Sequence, residues 1–470
     1  MIYKGDLVHC PQLGRMEILH DHIIAVNDIG FITHVAPADT PESVQLLRGS
    51  QYQSIPKGSF LFPAFYDLHL HAPQFLYQGS GLHLPLMEWL NEYAFKAEEK
   101  IDADPVLART VYRRLAYRLL EQGTGGVVLF GTIKEETNLI LAEVMQDSGI
   151  RAYVGKLSMD ISSRKTYVEP SAMASLEAAF SFVERCNALT IHLPVHDRLI
   201  EPILTPRFVP TCSDELLTGL GHFSNERNVR IQSHMAESFD QVTWVKEERG
   251  IDDMDVFDKH GLLTPRTIQA HCTFLDPPSL AHVAEHGTSI AHCPLSNAYF
   301  SALPFRLREA LDNGVKVGLG TDIAGGYSID IMVAMRQAVA VSRMREGSRV
   351  MAHTEGRQVE DKQRNLSIEW KEALYLATGG GAAAMGLHPG AGTFQVGAPF
   401  DAQQIRLSHG GLRSSVGPLD LFDLGEGEDK NGEGSETWKL NLEHVEKWWC
   451  LGDVRNRITV WVQGRERWPF

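Results

Sequence analysis

Basic residues are in short supply: 44 Lys and Arg stand against 59 Asp and Glu in 470 residues, a formal net charge of −15 with neutral histidines. That balance argues against nucleic acid as a partner, because neutralising phosphates requires a basic surface. Cysteine is sparse too. Cys10, Cys186, Cys212, Cys272, Cys293 and Cys450 include no CxxC pair, which excludes a cysteine-built zinc finger or thioredoxin-type site. No apolar run approaches the roughly 18 residues of a membrane span. The opening MIYKGDLVHC has neither a basic leader nor a signal-peptide core. A cytoplasmic protein with no membrane partner is therefore expected. No GxGxxG turn follows a strand-like run, which speaks against an open dinucleotide-binding sheet. No internal repeat of fixed period is present. What the chain has is twenty histidines and a globular composition, 43% hydrophobic and 22% charged.

A chain of 470 residues accommodates one large domain with an accessory one, or two to three ordinary domains. The first sixty residues alternate short apolar runs with turn signals (EILHDHIIAV, GFITHVAP, GSFLFPAF), the style of a small β unit. From Pro63 the style changes. The run ending at His71 is followed by GGVVLFGT, RAYVGKLSMD, IEPILTPRF, VRIQSHMAE, TIQAHCTF, GTSIAHCP and KVGLGTDI, most of them separated by helical patterns. Eight strands alternating with helices predict a closed (β/α)₈ barrel of the α/β class. After LATGGGAAAMGL the β style returns in GTFQVGAPFDAQQIRL and ITVWVQGRERW. The two ends thus predict a composite β-sandwich, residues 1–63 and 388–470, around a barrel of residues 64–387. Two stretches read as exposed: the charged segment 345–365, and the Gly- and acid-rich GEGEDKNGEGSE, a solvated loop.

The histidines that matter first appear in FYDLHLHAPQF, where His69 and His71 alternate with Leu68 and Leu70. A strand puts alternate side chains on one face, so the pair is half of a candidate metal site. In a barrel enzyme the chemistry sits at the C-terminal strand ends. Read so, strand one ends in His69 and His71, strand four in Arg207, strand five in His234 with Glu237 just beyond, strand six in His271 and strand eight in Asp322. A single histidine at a strand end is more often a hydrogen-bonded structural residue, and Asp322 in GTD could be a helix cap. Five strand ends carrying nitrogen or carboxylate groups toward one mouth are harder to explain that way. Three imidazoles and a carboxylate suit a borderline divalent ion such as Zn²⁺. An open position for water makes such a site hydrolytic, with Glu237 placed to move protons.

The segments HLHAPQF, LPLMEWLNEYAF, LTPRF, SHMAE, AHCTFL, AHCPLSN and GLGTDIAGGYS together resemble the guanine deaminases of the amidohydrolase superfamily, in order from Pro63 to Ser328. HxH with a later His and Asp marks only the superfamily; HAPQ, LPLMEWL and TPRF are more specific. The resemblance implies one zinc per chain held by His69, His71, His234 and Asp322. It implies that metal-bound hydroxide attacks C2 of guanine, that Glu237 passes a proton to N3, and that Asp322 takes the proton of the attacking water. His271 would polarise the reacting carbon or orient the water. Gln74, Arg207 and Phe208 would hold the base, with Leu86 and Trp89 lining or closing the pocket. A planar guanidinium suits an acceptor edge such as O6 with N7. A homodimer is expected on the same ground. The alternatives are an aminohydrolase acting on another purine, a pterin or a triazine, and a non-catalytic barrel. Departures from the family are His83 in place of an acidic residue, the 345–365 segment, the acidic loop after Leu407, and PFDAQQIRL, which suggests a weaker or more exposed C-terminal strand.

Overall fold

The structure, a computed structural model, describes residues 1–355, 357, 364–407 and 439–469. All eight runs are strands: Phe65–His71, Thr124–Phe130, Arg151–Gly155, Ile200–Pro206, Arg230–Met235, Thr267–His271, Ser289–His292 and Lys316–Leu319. They pair in parallel in sequence order. Closure comes just past the eighth strand, where Asp322 N–H donates to His69 O at 2.8 Å and His71 N–H to Ile323 O at 2.9 Å. The architecture is a (β/α)₈ barrel.

The helices between strands carry their own start and stop signals. Asp104 caps Pro105–Glu121 by accepting from Val106 and Leu107 N–H, both at 3.0 Å, and Pro105 opens that helix. Gly149, in the left-handed region at φ 72°, ends Glu135–Ser148.

Inside the barrel, Tyr66 and Leu68 pack with Val128, Tyr153, Ile203, Ile268 and Ala291, and with Ala382 and Met385 of helix Gly379–Met385. Leu70 instead joins Val127, Leu129, Ala152 and Val154 in the layer facing the first helices. The change of face coincides with a register shift between Asp67 and Leu70 in the pairing of strands one and two. His69 lies within the shift and His71 just past it, where a local change of register re-aims the side chains.

Segments from both ends build one mixed sheet. Ile2–Gln12, Arg15–Val26, Ile32–Pro37 and Ser59–Pro63 join Ala402–Arg406, Arg457–Val462 and Arg465–Trp468. Ala402–Arg406 corrects the expectation of a weak, exposed C-terminal strand: it lies mid-sheet between two partners and is buried. Its polar residues are tolerated because they are paired. Gln403 donates to Pro63 O at 2.9 Å and accepts from Arg457 Nε at 2.7 Å.

Where it is described, the 345–365 segment is exposed or half-buried, as expected. Residues 345–354 continue helix Ile331–Thr354, and Arg345 pairs through both terminal nitrogens with the Glu309 carboxylate. The acidic run 425–436 lies outside the described residues. All six cysteines are free thiols. Among the described residues no helix is long and apolar enough to cross a membrane.

Candidate active site

The residues singled out at the strand ends meet in one place. His69 and His71 end strand one, Arg207 directly follows strand four, His234 lies in strand five and His271 ends strand six. Asp322 comes three residues after strand eight. All are buried. His271 and Asp322 occupy the left-handed region at φ 67° and 49°, a conformation that costs a non-glycine residue about 1–3 kcal/mol and collects at functional sites. Asp67 holds this junction. Its carboxylate accepts from Thr321 N–H at 3.0 Å and Thr321 Oγ1 at 2.5 Å, beside the closure of the barrel.

The imidazoles and Asp322 converge on one point. His71 Nε2 is 3.0 Å from His234 Nε2, and Asp322 Oδ1 is 3.1 Å from His69 Nε2 and 3.7 Å from His71 Nε2. His234 turns Nδ1 to Arg207 O at 2.6 Å, which makes that nitrogen the donor and leaves Nε2 a lone pair. His69 Nε2 has no hydrogen-bond partner despite full burial. Burial also drives the pKa of all three rings well below the usual histidine range, with neighbouring histidines adding to the effect. Neutral imidazoles with inward lone pairs, one braced on a backbone carbonyl, plus a carboxylate are the donor set of a zinc-type ion. The residues fit such a metal. Phe130 packs against the rings of His69, His71 and His234 with centroids 4.6–4.8 Å apart.

His271 lies on the other side of Asp322. Its Nδ1 is 3.0 Å from Asn297 Oδ1, so Nδ1–H donates there. Nε2 then faces Glu237 Oε1 at 3.6 Å and Asp322 Oδ2 at 3.8 Å as an acceptor. The Glu237 carboxyl is pushed well above the usual range by burial and then by the negative charge of Asp322. It therefore keeps a proton where an exposed carboxyl would have lost it. Its backbone carbonyl accepts from Ser301 Oγ.

A small cavity of about 20 Å³ opens beside these groups. His71, His234, Glu237 and Asp322 form one end; Gln74, Arg207 and Phe208 form the other, with Leu86, Trp89, Leu90 and Phe300 as apolar walls. Gly325 also lines it. A Cβ there would stand 2.8 Å from Asp322 Oδ2 and 2.9 Å from Ser296 Oγ, so a side chain would crowd the carboxylate.

Arg207 is buried, and its partner is a carboxylate far away in sequence. Asp214 pairs with Arg249 and Lys259, whereas Arg207 forks onto Glu98, with 2.6 Å from Nη1 to Oε2 and 3.0 Å from Nη2 to Oε1. Gln74 Nε2 donates to the same Glu98 Oε1 at 3.0 Å, and Gln74 Oε1 accepts from Ala324 N–H at 3.2 Å. The Phe95 ring lies 4.9 Å below the guanidinium carbon. Burial opposes the Arg207 charge, but Glu98 outweighs it and holds the guanidinium above its ordinary range. Glu98 is the main residue that sequence reasoning missed. It lies on helix Phe95–Ala103 three residues from both Phe95 and Ile101, on the buried face. A charge on an apolar helix face was the available signal. Phe130 and Phe300, ordinary core types, and Asn297, a polar residue with no local pattern around it, were missed as well.

A model of the amidohydrolase family matches residues 60–466, and the chain belongs to that family. It is 35% identical to the guanine deaminase of Mus musculus, across 100% of this chain and 97% of that protein. The guanine deaminase of Homo sapiens is 34% identical over the same shares. The solved guanine deaminase from C. acetobutylicum, with guanine bound in its active site, matches with a TM-score of 0.83 at 28% identity over 99% of both chains.

Proposed function

We propose that the protein hydrolyses guanine to xanthine and ammonia, with one zinc ion per chain held by His69, His71, His234 and Asp322. The observation that carries this reading is a single cavity that has the metal-capable cluster and Glu237 at one end and the paired Gln74–Glu98–Arg207 system at the other. The full-length likeness to guanine deaminases supports it.

Bound in that cluster, the metal would activate water for attack at C2. The protein's own groups do the rest. Glu237, whose carboxyl burial pushes above the usual range, gives a proton to N3 and recovers one from the new C2 hydroxyl as the carbonyl forms. Asp322 receives the first proton of the water and hands it to the C2 amine, which leaves as ammonia when the C–N bond breaks. The two water protons thus end on N3 and on the leaving nitrogen. His271, with Nδ1–H committed to Asn297, offers Nε2 to orient the water.

At the far end, Arg207 has two hydrogens committed to Glu98, and its remaining N–H groups face acceptors on the base. Phe208 and Trp89 supply apolar walls. A bound guanine carbonyl satisfies a guanidinium that the amine of adenine would leave unpaired. The reading carries with it a cytoplasmic homodimer.

The test is ammonia release by zinc-loaded protein from guanine, adenine, a pterin and a triazine. Stoichiometric ammonia and xanthine from guanine, well ahead of the others, is expected. Preferred release from another base moves the assignment to a different aminohydrolase, and none from any base leaves a binding module.

A further inference from the structure

We propose that Asp258, His282 and His286 form a second transition-metal site, outside the cavity described above and independent of the proposed reaction. His282 Nε2 is 3.1 Å from Asp258 Oδ2, and His286 Nε2 is 3.4 Å from Asp258 Oδ1. The three ligand atoms lie within 4.8 Å of one another. The two histidines are four residues apart at the end of helix Pro277–Glu285, so they share one face. Asp258 comes from another helix, Asp253–Lys259.

The tautomer of His286 is the second observation. Its Nδ1 is 3.0 Å from His282 O, and a carbonyl can only accept, so Nδ1 carries the hydrogen. A neutral His286 then presents the lone pair of Nε2 to a carboxylate oxygen. Two acceptors facing each other need a proton or a cation between them. Bracing one ring nitrogen on a carbonyl while the other faces a shared point is how ligating histidines are oriented. Two imidazoles and one carboxylate select zinc, nickel or copper(II) over calcium or magnesium. The side chains are 33%, 33% and 43% exposed, which leaves room for water to complete the coordination.

The bridge would join two helices that flank strand six. Helix Asp253–Lys259 also reaches toward the reaction centre. Asp253 Oδ1 accepts from Gln241 Nε2 at 3.2 Å, and Gln241 lies in the first turn of helix Phe239–Arg249, which starts two residues after Glu237. That contact holds without an ion on Asp258, so the bridge adds to the stability of the two helices and not to the reaction.

The experiment uses holoprotein, desalted and then dialysed against zinc, with metal counted by elemental analysis. Wild type is expected to hold two equivalents. The His282→Ala/His286→Ala double variant should hold one, with its catalytic metal and its activity unchanged, and zinc should raise the melting temperature of wild type alone. Asp258→Asn should weaken the second equivalent while leaving both rings in place. A wild type that stops at one equivalent overturns the proposal. So does a double variant that still takes up two, because the second ion would then reside on other histidines.

Discussion

The two ends of the cavity are built on opposite principles. At the metal end, polar atoms crowd one point: His71 Nε2 lies 3.0 Å from His234 Nε2, and His69 Nε2, which makes no hydrogen bond, lies 3.1 Å from Asp322 Oδ1. At the base end the charged group is matched before any ligand arrives, with Arg207 forked onto Glu98 and Gln74 tied to Glu98 and Ala324. Buried polar atoms are normally satisfied, so the first arrangement is suited to a cation. The second is preorganised. Its guanidinium cannot swing to meet any acceptor, so it selects by where its remaining hydrogens point. One end does chemistry with unsatisfied groups, and the other chooses substrate with satisfied ones.

The comparison breaks most visibly at the metal end. His234→Ala should weaken the metal in the cavity and bring turnover to background, since it removes the imidazole that Arg207 O orients through Nδ1. Elemental analysis beside the ammonia assay checks both. Metal-free protein with full activity would remove that end from the mechanism.

Glu237→Gln comes next. The amide keeps the shape but carries no exchangeable acid proton, so the metal and guanine affinity should persist while kcat falls about 10²- to 10⁴-fold. Wild-type turnover in this variant would move the proton to His271.

Arg207→Ala should act on KM and on stability together. Removing one partner of a buried ion pair strands the other, at a cost of about 3–5 kcal/mol. A loss of melting temperature is therefore expected alongside weaker guanine binding, with the metal retained. The Arg207→Ala/Glu98→Ala protein separates the two effects: stability should partly recover while guanine affinity stays low. Lysine at 207 should rescue poorly, because a point charge lacks the planar fork. If the double variant regains guanine affinity, the pair is structural only.

The smallest effect tests the helix that carries Glu98. Asp102, one turn on, is lifted by burial to about 6, against hydrogen bonds from Thr132 and Thr137 that lower it. The folded value lies above the unfolded one, so its stabilising contribution is complete below about pH 4 and is lost as pH rises through about 6. Asp102→Asn should gain on wild type over that interval by about 3 kcal/mol at most, with kcat and KM unchanged. Melting curves from pH 4 to 8 check it, and a constant gap between the two proteins would show that Asp102 titrates normally.

The two ends also differ in how legible they were. The barrel and the metal end could be read because strand periodicity and the C-terminal-end rule place His69, His71, His234, His271 and Asp322 without knowledge of contacts. The base end was only half visible. TPRF and HAPQ pointed to Arg207 and Gln74, but the residue that orients both, Glu98, is 109 positions from Arg207. No local pattern encodes a long-range ion pair. A carboxylate much nearer in sequence, Asp214, binds Arg249 and Lys259. Polarity misled in the same way at Gln403, where a buried amide is stable because Pro63 and Arg457 complete it.

The most direct test of the division of labour uses ligands that do not turn over. Hypoxanthine has the C6 carbonyl of guanine without the C2 amine, and adenine has an amine at C6. Their inhibition constants against guanine, measured in wild type, Glu237→Gln and Arg207→Ala, report selection without chemistry. A site built to hydrogen-bond one group rejects an analogue that leaves its buried polar atoms unpaired. Wild type and Glu237→Gln should therefore prefer hypoxanthine by the same large factor, and Arg207→Ala should bind the two about equally. A preference that survives in Arg207→Ala, or that collapses in Glu237→Gln, would contradict the account.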